Sequence, residues 1–204
     1  PFYCRARSTR PQPGDEMIIC LDPGHGGRDP GACSLVCERD LVLMIARRAK
    51  EPLVAAGHSV VWTRSDNQRC PGINQRPKIA ARAGAGLFVS IHANAASGRG
   101  ASGVEAWYRA GSSGDELLAR RLLALLAREY GRNLKLRGAF PDTLNRHGSL
   151  GVLRGCRRFG MPAVLLECGF LTNAGDRATM LDPAFGLALG RAIGAVALAR
   201  TPAA

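Results

Sequence analysis

Four short segments of the chain carry residue types that together do hydrolytic chemistry. His25 lies in Asp22-Pro23-Gly24-His25-Gly26-Gly27, and Glu38 comes just before an amphipathic run. His92 lies in Ser90-Ile91-His92-Ala93-Asn94, and Glu167 in Leu165-Leu166-Glu167-Cys168-Gly169. Two imidazoles and a carboxylate form the ligand set of a catalytic zinc ion whose fourth position stays open. A further carboxylate outside that set can take and return protons. Imidazole and carboxylate donors suit zinc, whereas magnesium and calcium prefer oxygen alone. Singly, each residue has an ordinary reading. A histidine after a strand is a polar loop residue, and a glutamate at a helix start serves the helix dipole. Glu167 differs, because it closes the apolar run Ala163-Val164-Leu165-Leu166. An ionised carboxylate there is costly without a compensating partner.

The elements that must position these residues are legible from periodicity. Met17–Leu21 is a short apolar run stopped by Asp22-Pro23-Gly24, which predicts a buried strand ending in a turn. From Arg39 to Ala56, apolar residues recur at helical spacing, and Gly57 is a natural stop. Pro52 inside that helix removes a backbone bond and predicts a kinked last turn. His58–Thr63, Leu87–Ile91, Gly103–Tyr108 and Ala163–Glu167 read as further strands. Ile73–Ala83, a run closing at Tyr130 before Gly131, and Pro183–Arg200 read as helices. Ser113-Gly114-Asp115-Glu116 has capping-box spacing at the start of the second of these. Residues 138–160 read as mostly irregular and basic, with a short strand near Val152.

Strands alternate with helices, and the first, third and last strands are apolar on both faces. The expected fold class is α/β: a single domain with a sheet covered on both sides by helices. In such sheets ligands collect beyond the carboxyl ends of the strands. If the strands carrying His25, His92 and Glu167 are parallel neighbours, their side chains converge on one crevice. Glu38, at the start of the first long helix, can point back at it. Residues 1–14, with Pro11, Pro13 and Gly14, read as a tail or linker, leaving 15–204 as the catalytic domain.

Composition bounds the partners. The 204 residues are 46% hydrophobic, enough for one domain with a real core and too many for a disordered chain. No apolar stretch reaches the roughly 20 residues of a membrane span. The chain opens on Pro1 without an initiator Met or a signal-peptide pattern, so a removed leader or a trimmed start is expected. A net charge of +12, nearly all from arginine, favours a polyanion, either nucleic acid or an anionic bacterial envelope. The basic residues are dispersed and aromatics are only 5%, which argues against a dedicated nucleic-acid module. Seven cysteines include no Cys-x-x-Cys pair, so a four-thiolate zinc site is not expected. Cys20 and Cys168 fall in predicted strands as small apolar residues. One disulfide among Cys33, Cys37 and Cys70 is compatible with an oxidising compartment.

The order of these motifs resembles a known family. Asp22-Pro23-Gly24-His25-Gly26-Gly27, Asp29-Pro30-Gly31-Ala32 and Glu38-Arg39-Asp40-Leu41 strongly resemble the opening of the zinc-dependent N-acetylmuramoyl-L-alanine amidases of the Amidase_3 family. Thr63-Arg64 with Asp66, Ser90–Asn94, Gly103-Val104-Glu105 and Pro162–Asn173 continue the resemblance in order, from about Met17 to Arg200. It implies a mixed, mostly parallel sheet of about six strands flanked by helices on both faces. It also implies one Zn2+ held by His25, Glu38 and His92, with Glu167 as the catalytic carboxylate. The implied substrate is peptidoglycan, cut between N-acetylmuramic acid and the L-alanine of the stem peptide. Zinc-activated water would attack, with Glu167 as general base and then acid.

The same resemblance implies work outside the cytoplasm, in a periplasm, in a cell wall or as a secreted enzyme. A monomer is expected, with no nucleic-acid partner and no integral membrane segment. Asp22 and Asn94 are candidates for orienting the ligands, although Asp22 reads first as a turn former. Glu105 is the alternative carboxylate and, lying within a strand, can equally face solvent. His147 can touch substrate from its loop but reads first as structural. Some family members carry a zinc-blocking helix near the fourth strand. Only seven residues, Arg109 to Asp115, separate Tyr108 from Glu116 here, so an open site is expected. A zinc peptidase or deacetylase, or a wall-binding module without turnover, are the competing readings. The binding module has no use for the acid at Glu167.

Overall fold

A computed structural model describes residues 16–131 and 134–199. The expected tail at 1–14, Cys4 and Arg200 lie outside the described residues. Six strands and six α-helices follow one another as β1 (Ile18–Pro23), α1 (Glu38–Ala55), β2 (Ser59–Trp62), α2 (Gln75–Arg82), β3 (Leu87–Asn94) and β4 (Val104–Tyr108). Then come α3 (Ser113–Tyr130), β5 (Leu136–Pro141), a 3-10 turn (Asp142–Leu144), α4 (Gly151–Arg157), β6 (Ala163–Phe170), α5 (Ala174–Leu181) and α6 (Pro183–Leu198). The sheet order is β2-β1-β3-β6-β4-β5. All neighbours are parallel except β4 and β6, which run antiparallel.

The alternation of side chains along each strand divides the core in two. Ile19, Leu21, Leu87, Val89, Ile91, Val164 and Leu166 face α1, α3 and α6 in the larger cluster. Cys20, Phe88, Ala163 and Leu165 face α2 and α4 in the smaller one. Central strands are therefore apolar on both sides, as parallel pairing under helices requires. Helix α6 approaches α1 closely enough that a Cβ on Gly190 would sit 2.2 Å from the Ala49 carbonyl oxygen. Glycine at that position is a packing requirement. Among the described residues no single helix is long and apolar enough to cross a membrane.

Several expectations need correction. The segment at Val152 is the helix α4, not a strand, with Val152, Leu153 and Cys156 turned into the smaller core. Three apolar residues at i, i+1 and i+4 mark one helical face. The supposed irregular stretch also contains the end of β5, whose Leu136-Arg137-Gly138 start carries no hydrophobic alternation because an edge strand is half exposed. The cap of α3 is Ser112, one residue earlier than the spacing suggests. Its Oγ accepts from the Asp115 amide, freeing the Asp115 carboxylate to accept from Arg109 and from the Ala163 amide. Helix α1 runs through Pro52 to Ala55, as the spacing predicts. Helix α5, eight residues long, had no strong periodicity to announce it; Asn173 caps it by accepting from the Gly175 and Asp176 amides.

Candidate metal centre

The site lies at the carboxyl ends of β1, β3 and β6, where the parallel order meets the antiparallel β4. His92 occupies β3 directly beside Glu167 on β6. Because β4 runs the other way, its beginning reaches the same edge, and Glu105 pairs in register with Glu167. His25 comes from the loop after β1, and Glu38 opens α1.

His25, Glu38 and His92 converge: one donor atom from each lies within 4.8 Å of the others. His25 Nε2 is 3.0 Å from Glu38 Oε2, and His92 Nδ1 is 3.0 Å from Glu38 Oε1. The Ala32 and Ala93 amides also donate to the two Glu38 oxygens, at 3.1 and 3.0 Å. Burial alone would raise the Glu38 pKa, but the hydrogen bonds from His25 and His92 outweigh it and hold the carboxyl far below its usual range. Burial would lower His25, yet the Glu38 hydrogen bond and charge raise it. On its other face His25 Nδ1 meets Asp29 Oδ2 at 2.8 Å, which leaves Nε2 for the cluster. A carboxylate behind a histidine is the arrangement that fixes the tautomer of a metal ligand.

Backbone geometry serves the same convergence. His25 has φ 60°, the one left-handed non-glycine among the described residues. That conformation costs an ordinary residue roughly 1–2 kcal/mol, so the surroundings must impose it. Arg76 does so by donating from Nη2 to the His25 carbonyl at 2.6 Å and from Nη1 to the Pro23 carbonyl at 2.8 Å. Arg64 donates to the carbonyls of Pro23, Gly24 and Arg39, joining the His25 loop to the first turn of α1. Gly31 and Gly24 provide room. A Cβ on Gly31 would lie 2.6 Å from Glu38 Oε2, and one on Gly24 would lie 2.2 Å from His92 Cε1.

Asp22 is not a turn former. Fully buried, it accepts from Arg76 Nη1 at 2.7 Å, from Ser90 Oγ at 2.6 Å and from Thr63 Oγ1. Its charge therefore holds the arginine that holds His25. Burial lowers the Arg76 pKa, but the Asp22 charge outweighs this and raises it. Arg64 and Arg76 escaped the sequence reading as site residues. The available signal was an arginine within apolar helical spacing at Arg76, and the Thr63-Arg64 pair itself.

Across the cluster, Glu167 Oε2 is shut off from solvent and has no hydrogen-bond partner among the described residues. Burial drives its pKa up to about 7, with Glu38 and Glu105 adding to the rise against His92. Glu105 is buried rather than solvent-facing: it accepts from Asn94 Nδ2 at 2.9 Å and from Arg137 Nε. Asn94 thus bonds to Glu105 and not to a histidine. His147 is exposed on the 142–150 loop and lines the same cavity of about 480 Å³ as His25, His92 and Glu167. His58 lies elsewhere, under α6 near Gly194. Cys33 and Cys37 form a disulfide just before Glu38, and Cys70 is an exposed thiol. The connection from β4 to α3 spans only residues 109–112, so no helix from it covers the cleft.

The donor set fits zinc: two imidazole nitrogens and a carboxylate converge, a carboxylate backs one of the imidazoles, and an unpartnered carboxylate oxygen stands alongside. An α/β sheet with a His-Glu-His cluster that could hold a metal ion at its topological switch point fits a hydrolase fold. The N-acetylmuramoyl-L-alanine amidase model, Amidase_3, matches residues 19–197, and the chain belongs to this family. It is 35% identical over 184 residues to N-acetylmuramoyl-L-alanine amidase AmiC of Neisseria meningitidis serogroup B, covering 82% of this chain and 42% of that protein. It is 34% identical over 161 residues to N-acetylmuramoyl-L-alanine amidase LytC of Bacillus subtilis, covering 78% of this chain and 30% of that protein. The chain thus spans less than half the length of these relatives. A solved N-acetylmuramoyl-L-alanine amidase from Clostridium difficile 630 superposes with a TM-score of 0.79 at 29% identity, over 93% of this chain and all of that one.

Proposed function

We propose that residues 15–204 form a catalytic domain, preceded by a tail at 1–14, which hydrolyses the amide between N-acetylmuramic acid and the L-alanine of the peptidoglycan stem. The observation that carries this reading is the convergence of His25, Glu38 and His92 beside the unpartnered oxygen of Glu167. The three would hold one Zn2+. When bound, zinc supplies Lewis acidity for the amide carbonyl and acidifies water to near neutrality.

The chain's own residues handle the proton. In the metal-free protein burial raises Glu167 to about 7, and a bound dication would draw it back towards the carboxylate that a general base needs. Its carboxylate removes a proton from the water whose oxygen bonds to the carbonyl carbon. It returns that proton to the L-alanine nitrogen as the C–N bond breaks. The products are the lactyl carboxylic acid and a free amine. Asp29 keeps His25 turned toward the cluster, and the Asp22–Arg76 pair holds the His25 backbone. The action is extracytoplasmic, in keeping with a disulfide at Cys33–Cys37 and a wall substrate. The domain works as a monomer, without a nucleic-acid partner.

The test is digestion of purified peptidoglycan with and without a chelator, read by mass spectrometry. Stem peptides beginning at L-alanine, lost on chelation and restored by zinc, are expected. Metal-dependent cuts at another bond would replace the substrate assignment. Absence of cleavage by zinc-loaded protein would favour a binding module.

A further inference from the structure

The cleft has two arms, and the position of Glu167 gives it a direction. One cavity, about 480 Å³, contains Glu167 and opens over β6, β4 and β5. The other, about 280 Å³, shares His25, His92, Leu150 and Leu165 but not Glu167, and continues past Pro71, Ile73 and Val152. In the proposed hydrolysis the leaving amine takes its proton from Glu167, so the peptide side of the bond lies in the first arm. The muramic acid side then lies in the second, where apolar side chains suit a sugar face and a lactyl methyl.

The first arm is equipped for an anion. Arg137 commits Nε to Glu105, and its guanidinium lies 5.0 Å from the centroid of the Phe170 ring, while its two terminal nitrogens make no hydrogen bond among the described residues. Arg146 has its Nε against His147 Nε2 at 2.9 Å and no carboxylate partner among the described residues. The loop carrying it is pinned by buried Asp142, which accepts from the amides of Ala110 and Leu150 at 3.0 and 3.1 Å and from Ser149 Oγ at 3.1 Å. Two forked guanidinium groups on anchored elements line one wall of the cleft, and that shape matches a carboxylate.

We propose that Arg146, with Arg137 lining the same cavity, forms a subsite for the free carboxylate of the acidic residue that follows L-alanine in the stem. The inference rests on the amidase reading and deepens it, since it names which stems the site prefers. Such a subsite discriminates a carboxylate from the isosteric carboxamide by charge and by bidentate geometry.

The experiment uses two soluble muramyl peptides, identical except that the glutamate after L-alanine bears either a free α-carboxylate or its carboxamide. With zinc-loaded wild-type enzyme, kcat/KM should favour the carboxylate by about tenfold, mainly through KM. Arg146→Ala should bring the ratio close to one, and Arg146→Lys should restore part of it as a point charge without the fork. A wild-type ratio near one, a preference for the amide, or a ratio unmoved by Arg146→Ala would overturn the subsite while leaving the amidase intact. Cleavage of neither peptide by the wild type would overturn the amidase reading and this inference with it.

Discussion

The two walls of the cleft are built on opposite principles. On the β1–β3 wall the charges are answered: Glu38 accepts from two histidines and two amides, and Asp22 from an arginine and two hydroxyls. Such a network fixes geometry to a fraction of an ångström and resists exchange of partners. On the β6 wall Glu167 keeps one oxygen unanswered among the described residues, in the same low-dielectric surroundings. A satisfied carboxylate stays ionised and is suited to hold a cation. An unsatisfied one is pushed towards neutrality and can trade protons. The same residue type is thus placed for the two proposed purposes by its environment.

Breaking the unsatisfied wall should have the largest effect. Glu167→Gln removes the proton carrier while keeping shape, so turnover should fall by at least ~10²–10⁴-fold. Zinc content by elemental analysis should stay at the wild-type level. Near wild-type kcat in that variant would remove Glu167 from the chemistry.

Breaking the satisfied wall should register in stability before chemistry. Arg76→Met leaves Asp22 charged and buried without its cation, at a cost of about 3–5 kcal/mol. Chemical denaturation of the metal-free protein reads this directly. A loss below 1 kcal/mol would mean that Asp22 does not depend on Arg76.

The pH dependence of the metal-free protein sharpens the contrast further. The folded pKa of Glu167, about 7, lies above its ordinary 4.5, so the folded state binds more protons between those values. Stability contributed by Glu167 is therefore greatest below pH 4.5 and declines as pH rises through this window. The full loss is on the order of 3 kcal/mol. Glu38 has the opposite sign: its depressed pKa adds stability that is present above pH 4.5 and lost as pH falls below it. Urea titrations of wild type and Glu167→Gln from pH 4.5 to 7.5 should differ by the Glu167 slope alone. Parallel curves would place its pKa near normal. In the zinc-loaded enzyme a nearby dication favours the carboxylate, so the acid limb of kcat/KM, on which Glu167 becomes protonated and stops acting as a base, should have its midpoint below pH 7.

Asp29→Ala is the mildest change. Without the acceptor at Nδ1, the His25 ring loses its orientation, and zinc affinity should drop by about 10–100-fold. Competition with a chromogenic chelator measures this. Unchanged affinity would make Asp29 only a loop residue.

Much of the scaffold was legible because it depends on short-range pattern. Apolar runs at β1, β3 and β6 read as buried strands, since a parallel strand under helices is apolar on both faces. The α1 and α3 helices read from 3.6-residue periodicity. What escaped was short, exposed or off-pattern: β5 at the sheet edge, α5 of eight residues, and α4, whose single apolar face is brief enough to pass for a strand. The four candidate site residues could be picked out by type and motif. Arg64 and Arg76 could not, because a buried arginine looks like any surface arginine until its carbonyl partners are known.

The sequence by itself determined which groups were available: two imidazoles and two carboxylates near strand ends, glycines flanking one histidine, and the family motif that orders them. Tertiary structure alone decided their surroundings. Strand order β2-β1-β3-β6-β4-β5 set His92 against Glu167, and reversal of β4 carried Glu105 to the same edge. Packing turned Asp22 from an apparent turn residue into the anchor of Arg76, and left Glu167 Oε2 without a hydrogen-bond partner among the described residues. The reason is physical: type fixes what a side chain can donate or accept, but its charge state depends on neighbours brought from distant parts of the chain.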